Sequence, residues 1–304
     1  MRGFGGKMLD QCEYIFDRAI GSSSGAEFCY AVDPLFENYK ILTLGLGRGT
    51  VFWRARTIKS KPYENISELD YPPVELSSEG RLNDKGVPVF YAATREETAL
   101  AEVNVEDGQL VQLAGFKVVP GNTMRLSVVG EYSNVVKSGY MHFAGLDPDK
   151  TILNIVRNLP HAKAVAKIYI DRFFAHILAD PTASESSYIH SRALGHVIHS
   201  KAQADGIAFP SVKDRGGFNI CVKAENSDLH LRNVACLVVR INKRRRFGLI
   251  DYDLISTADN LNENGDFQWH SQSEPKQVAF YGMTKDEFEE ARANAKGFSP
   301  GGLV

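Results

Sequence analysis

Gly80-Arg81-Leu82-Asn83-Asp84-Lys85-Gly86-Val87-Pro88-Val89-Phe90-Tyr91-Ala92-Ala93-Thr94, running on to Glu102, is the stretch on which the fold turns. Val87 to Ala93 is apolar enough for a buried strand, and Thr94 followed by Glu97 is a capping-box pattern that starts a helix. A strand-to-helix turn is therefore expected at Thr94, with Arg81 before it, Tyr91 on the strand and Glu102 on the helix. In that helix Ala99, Ala101 and Val103 can pack, which leaves Glu102 as a charge among small apolar neighbours. A carboxylate in that setting serves either a site or a surface salt bridge.

Upstream, Val51-Phe52-Trp53-Arg54-Ala55-Arg56 reads as a strand. Side chains alternate along a strand, so Arg54 and Arg56 share one face with Phe52, while Trp53 and Ala55 take the other. The cationic face fits an anionic ligand, and it equally fits an edge strand with ordinary arginines. Gly45, Gly47 and Gly49 precede this strand rather than a helix, which excludes a dinucleotide-binding fingerprint. Residues 1–46 are expected as an N-terminal extension: a short helix over Met8 to Ile20, a flexible Gly21-Ser22-Ser23-Ser24-Gly25 link, and an apolar stretch ending at Leu44. No chemistry is assigned to it. Lys59 to Glu79, carrying Pro62, Pro72 and Pro73, is expected as a long loop.

Downstream, Leu110 to Val119 and Thr123 to Val129 flank Pro120-Gly121, a hairpin signal. From Asp147 to about Gly206 apolar residues recur at helical spacing, and Ser184 with Ser187 introduces a third helix over Tyr188 to Ala204 that carries His190, His196 and His199. His196 and His199 lack a carboxylate companion at ligand-like spacing, so no metal site is expected. Ile207 to Ser211 and Phe218 to Val222 are short strands around a loop holding Lys213, Asp214 and Arg215. Val234 to Asn242 and Phe247 to Ile255 follow as strands, with Lys243-Arg244-Arg245-Arg246 at a solvated hairpin tip. Thr284 to Ala295 reads as a capped acidic helix, and Gly297 to Val304 as a loose tail. Short strands with a segregated helical block favour an α+β fold over a doubly wound sheet.

The 304 residues, 43% of them hydrophobic, suffice for a real core. A net charge of −2 argues against a dedicated nucleic-acid or membrane-surface binder, leaving small polar ligands as the expected partners. Cys12, Cys29, Cys221 and Cys236 form no C-x-x-C pair, so reduced thiols in a cytoplasm are expected. The acidic and polar residues among Met8 to Glu13 interrupt any apolar run too early for a signal peptide, and no stretch is apolar for the ~18 residues that a membrane span needs.

Taken in order, Phe52-Trp53-Arg54, Gly80-Arg81-Leu82-Asn83-x-x-Gly86, Val89-Phe90-Tyr91, Glu102, Gly206-Ile207-x-x-Pro210-Ser211 and Gly216-Gly217 resemble the RES-domain family, named for arginine, glutamate and serine. The resemblance spans Val51 to Val222 and extends to the strands ending at Ile255; Leu82 stands where members commonly carry an aromatic residue. It implies a fold like that of ADP-ribosyltransferases, with mixed and antiparallel sheets and a helical block. It divides the chain into residues 1–46 as the extension, 47–260 as a RES-type catalytic domain, and 261–304 as a strand, helix and tail packed on that domain. It also implies an enzyme that breaks the nicotinamide–ribose bond of NAD by hydrolysis or phosphorolysis, acting as a toxin that a cognate antitoxin neutralises. NAD is then a substrate rather than a recycled cofactor, and phosphate is a co-substrate in the phosphorolytic case. Transfer of ADP-ribose to a protein, and a non-catalytic nucleotide-binding module, stay open as alternatives.

The residue chemistry agrees with N-glycoside cleavage. Breaking that bond builds positive charge on the ribose, which a neighbouring carboxylate stabilises selectively, and Glu102 is the carboxylate expected to do so. The pyrophosphate of NAD suits the permanently charged forks of Arg54 and Arg81. Tyr91 offers a ring to the nicotinamide or a phenolic hydrogen bond, and Ser211 a hydroxyl to the ribose or carboxamide, without either acting as a nucleophile. Arg56 and Asn219 are further substrate-binding residues.

Overall fold

Alternating apolar residues and the helical repeats of the middle third settle into regular elements in the computed structural model, which describes residues 6–47, 50–258 and 260–278. In chain order these are α1 (Gly6–Ile20), α2 (Gly25–Val32), β1 (Leu42–Leu46), β2 (Val51–Thr57), β3 (Val89–Ala93), α3 (Glu96–Glu102), β4 (Leu110–Val118), β5 (Met124–Val128), α4 (Tyr132–Ser138), β6 (Tyr140–Met141) and β7 (Gly145–Leu146). There follow α5 (Thr151–Arg157), α6 (His161–Leu178), α7 (Ile189–Lys201), β8 (Gly206–Pro210), β9 (Phe218–Lys223), α8 (Ala224–His230), β10 (Leu231–Arg244), β11 (Ile250–Ala258) and β12 (His270–Val278). Strands and a segregated helical block make the α+β class. Two compact units result: Met1–Phe52, Asp70–Thr94 and Lys117–Arg232 form the first, and Trp53–Leu69, Arg95–Phe116 and Asn233–Val304 the second.

In the first unit the strand order is β1-β5-β8-β9-β3, with β5 and β8 parallel and the other pairs antiparallel. A parallel pair needs a long crossover, and the helical block from α4 to α7 supplies it. From Gly206 to Phe209 and from Phe218 to Val222 every residue is buried, the pattern of strands covered on both faces. Gly206 cannot carry a side chain, since a Cβ there would meet the Cys221 carbonyl at 2.5 Å. The two N-terminal helices pack on this unit: α1 stacks Phe16 on Phe173 of α6 with ring centroids 4.1 Å apart, and α2 packs on α7.

Among the described residues of this unit, the carboxylates of Asp171 and Glu131 are fully buried. Asp171 on α6 accepts from the Tyr39 hydroxyl (2.8 Å), Gly130 N–H (2.9 Å) and Tyr132 N–H (3.0 Å). Glu131 accepts from Phe143 N–H at 2.6 Å and from Asn134 Nδ2 at 2.9 Å. Desolvation outweighs these donors and raises both carboxyls, Asp171 to about 6 and Glu131 to about 7.

The second unit has strand order β2-β4-β10-β11-β12. Trp53 lies against Gly115 of β4, where a Cβ would come within 3.1 Å of the indole, so the two chains approach closely on that face. Gln112 is buried and satisfied: its Oε1 accepts from Tyr63 N–H at 2.8 Å, and its Nε2 donates to the Tyr63 carbonyl at 3.0 Å and to Cys236 Sγ at 3.2 Å.

Three local expectations are corrected. Pro120-Gly121 forms a turn, closed by Asn122 N–H to the Val119 carbonyl, but no hairpin: β4 is bordered by β2 and β10, whereas β5 pairs with β1 and β8. The cap of α3 is Arg95, with extended φ −139° and ψ 153° and no side-chain cap bond, rather than Thr94. Thr94 continues the β3–β9 ladder instead, its N–H and hydroxyl both donating to the Phe218 carbonyl, so sheet pairing overrides the local signal. The third helix starts at Ile189, after Ser187 and Tyr188 adopt left-handed φ values of 51° and 56°. The helix expected over Thr284 to Ala295 and the tail after it lie outside the described residues.

The raised carboxyls fix the sign of a pH effect. A group whose folded pKa exceeds its unfolded value holds its proton longer when folded, so its contribution favours folding at low pH and is lost as pH rises through the folded value. For Glu131 that window runs from the ordinary carboxyl range up to about 7. Glu131→Gln should therefore gain stability relative to wild type between about pH 5 and about pH 8, by on the order of 3 kcal/mol for full desolvation. Denaturant titrations at both pH values measure the difference; a gap that stays constant with pH refutes the assignment.

Candidate functional site

The Gly80 to Tyr91 stretch is held by a small polar hub in the first unit. Asn83 is buried and its Nδ2 donates to three carbonyls, Ser78 (2.8 Å), Asp84 (3.1 Å) and Val87 (3.2 Å). Its Oδ1 accepts from the Tyr91 hydroxyl at 3.1 Å, and that same hydroxyl oxygen accepts Leu82 N–H at 2.9 Å. Burial pushes the Tyr91 phenol well above its ordinary range, so near neutrality it is a neutral donor and acceptor rather than a base. Gly80 has no room for a side chain, because a Cβ would fall 2.6 Å from Asn83 Oδ1.

Two residues of this stretch reach the helical block. Arg81 donates through Nη1 to the carbonyls of Leu178 (3.2 Å) and Asp180 (2.7 Å), satisfying the end of α6, and its guanidinium lies 5.7 Å from the centre of the Tyr188 ring. Asp84 meets Arg192 Nη1 at 2.9 Å and His196 Nε2 at 3.0 Å on α7. Leu82 seats against Gly195 of α7, where a Cβ would be 2.7 Å from its Cδ2. The missing side chain at Gly195 lets helix and loop close up.

Ser211 follows the last residue of β8. Its Oγ accepts from Lys213 N–H (3.1 Å) and Asp214 N–H (3.0 Å), while its own N–H donates to the Gly217 carbonyl (2.8 Å), so the hydroxyl oxygen organises the loop up to Gly217. Asn219 on β9 is buried and faces Ala93 and Phe209 across the ladder, and Tyr91 faces Cys221. Directly opposed residues project to the same side of a sheet, so Tyr91 and Asn219 are diagonal neighbours on one face of β3 and β9.

Arg54, Arg56 and Glu102 belong to the second unit. Arg54 and Arg56 stand on the face of β2 opposite Trp53, and the Arg56 guanidinium lies 5.9 Å from the centre of the Tyr63 ring. Glu102 is the last residue of α3, half-buried behind Thr98, Ala99, Leu100 and Ala101, which are all buried. The helix stops there because Asn104 takes a left-handed φ of 49° and its N–H closes on the Ala101 carbonyl. Thus the structure gathers Arg81, Tyr91, Ser211 and Asn219 into the first unit and Arg54, Arg56 and Glu102 into the second.

A sequence model of the RES domain matches residues 51–237, well over half of the chain. The chain belongs to the RES-domain family. No curated protein matches the sequence. RES-domain proteins are associated with enzymatic action on NAD and are known from toxin–antitoxin pairs. The RES match contains Arg54, Arg56, Arg81, Tyr91, Glu102, Ser211 and Asn219. It begins after α1, α2 and β1. Among the described residues no group of three His, Cys, Asp or Glu side chains is arranged to hold a metal ion, and no helix is long and apolar enough to cross a membrane.

Residue-type reasoning passed over Asn83 and Glu131. Asn83 stood inside the quoted motif but drew no role, and its single signal was a carboxamide between two glycines in an otherwise polar loop. Asn83→Ala should destabilise the chain by about 2–4 kcal/mol, since three carbonyls lose their donor and the Tyr91 hydroxyl loses this acceptor. Tyr91→Phe should cost less, about 1–2 kcal/mol, because only the phenol is lost. Equilibrium denaturation ranks the two, and the reverse order would show that Asn83 is not the hub.

Proposed function

We propose that this RES-domain protein cleaves the bond between nicotinamide and ribose in NAD, with water or phosphate as the acceptor at the ribose carbon. The observation that supports the reading is the RES match over residues 51–237, a span that includes Arg54, Arg81, Tyr91, Glu102 and Ser211. Nicotinamide leaves with the bonding electron pair, which neutralises its ring nitrogen, and the ribose carbon becomes cationic. Water then yields ADP-ribose and a proton, whereas phosphate yields a ribosyl 1-phosphate linkage.

In this reading Glu102 faces the developing ribose cation, where a carboxylate helps the transition state more than the ground state. Arg54 carries the pyrophosphate load with Arg56 in support, through charge-assisted hydrogen bonds. Arg81 already spends one nitrogen on the end of α6, which leaves the rest of its fork for a phosphate oxygen and ties substrate binding to the loop's anchor. Tyr91, held neutral, and Asn219 beside it on the same face supply the surface for the nicotinamide side. Ser211 orients by hydrogen bonding; a nucleophilic role is disfavoured because two backbone N–H groups engage its oxygen. Turnover of cellular NAD makes such an enzyme toxic unless a partner protein restrains it, so a cognate antitoxin is part of the proposal.

Incubating the purified protein with NAD should release nicotinamide, with product analysis in the presence and absence of phosphate naming the acceptor. Glu102→Gln and Arg54→Ala should each lower turnover by about a hundredfold or more. Arg54 is the cleaner arginine to test, because loss of Arg81 also frees the end of α6. Unchanged turnover in both variants sinks the site assignment, and label transferred from NAD to protein in place of free product replaces hydrolysis and phosphorolysis by ADP-ribosyl transfer.

A further inference from the structure

Glu131 is fully buried, and none of the roles above uses it. A carboxylate without solvent persists only where its oxygens are satisfied, and here Phe143 N–H and the Asn134 amide satisfy them. What the arrangement holds in place is the turn His142–Phe143. The Phe143 ring lies 5.8 Å from that of Phe218, the residue directly after Gly217. His142 stands over the same loop: a Cβ built on Gly216 would be 3.8 Å from its Nδ1. The other end of the segment also touches the loop, since Gly130, at φ 95°, fits between Ala175 and Pro210 with a Cβ position 3.0 and 3.1 Å from their side chains. The segment from Gly130 to Phe143 therefore grips the Ser211 loop at both ends, and His142 is exposed where it meets that loop.

The neighbouring amide bears on the tautomer of that imidazole. Asn134 Nδ2 lies 2.9 Å from Glu131 Oε2 and 3.3 Å from the Gly130 carbonyl, and the carbonyl can only accept, which places the amide nitrogen on this side. The same nitrogen is 3.4 Å from His142 Nδ1; an amide nitrogen cannot accept, so we assign the ring proton to Nε2. We propose that His142 contacts the substrate at the Ser211 loop through Nε2–H, donating a hydrogen bond to an oxygen of NAD, and that Glu131 is the residue that positions it. The proposal rests on the NAD-cleaving reading above.

The test is steady-state kinetics on NAD with four variants, at matched folding. His142→Ala should lower kcat/KM about tenfold, the value of one lost hydrogen bond to a polar substrate group. His142→Gln, whose amide nitrogen falls near the place of Nε2, should stay within about threefold of wild type, whereas His142→Asn, which mimics Nδ1, should behave like alanine. Glu131→Gln should lower kcat/KM in the same direction, and combining it with His142→Ala should add less than about twofold, because a positioning residue acts only through the group it positions. His142→Ala kinetics within about twofold of wild type, or losses that multiply in the double variant, overturn the proposal while leaving NAD cleavage intact. A wild-type protein that releases no nicotinamide overturns the NAD reading and this proposal together.

Discussion

The Asp171 carboxylate is the point on which the first unit hangs. Three donors from distant parts of the chain converge on it: the Tyr39 hydroxyl, Gly130 N–H and Tyr132 N–H. Removing the side chain leaves all three buried groups without their acceptor, a penalty that falls on the N-terminal segment, the end of β5 and the start of α4 at once. Lys167, one turn earlier on α6 and itself buried, lies 5.5 Å from the Tyr39 ring centre and 4.7 Å from that of Tyr132, and its charge opposes the desolvation of Asp171. Glu131 sits between the two amides that Asp171 holds. Its direction toward Phe143 is therefore a consequence of the Asp171 contacts.

Those contacts give residues 6–46 a physical part in the molecule. Phe28, Leu35, Phe36 and Tyr39 are buried, and β1 pairs along its whole length with β5. From α2 the contacts continue through α7 to Leu82 and Asp84, and so to the loop that Asn83 and Tyr91 organise. A segment that begins before the RES match thus supports a RES motif from behind, through helix packing and an ion pair rather than through any chemistry of its own. The tight fits at Gly195 and Gly80 make this support stiff, because displacing α7 moves Leu82 against a loop with no spare space.

What was legible in the sequence was what local pattern determines. The β3, β8 and β9 strands stand out as apolar runs because both faces are covered, and α6 stands out because its buried residues recur at helical spacing. Pairing was not legible. Pro120-Gly121 makes a good turn, yet β5 pairs with β8 some eighty positions further on, and nothing within the turn encodes that partner. Thr94 has the composition of a cap but a position in a ladder, and the ladder prevails because its N–H would otherwise lose a partner. Among the candidate site residues, Ser211 and Tyr91 were visible through order along the chain. Their present hydrogen bonds were not, since Asn83 and the Lys213 and Asp214 amides matter through geometry rather than residue type. Glu131 was invisible for the same reason: an acid in a Gly-Glu-Tyr context carries no sign that Phe143 will close over it.

The two carboxylates, Glu102 and Glu131, divide the chemistry by their surroundings. A carboxyl raised to about 7 by burial is the kind of group often used for proton transfer, and by that criterion alone Glu131 would be the natural acid–base residue. Its oxygens are nevertheless engaged by Phe143 N–H and Asn134, and reaching a substrate would mean abandoning both in a dry interior. Glu102 has the opposite character. It ends a short helix, where the backbone dipole disfavours an anion, so helix stability does not account for the residue, and it is only partly buried. A carboxylate that a helix end does not require is suited to answering a transient positive charge, while the buried one is suited to holding a turn still. In the proposed reaction the charge therefore falls to Glu102 and the geometry to Glu131.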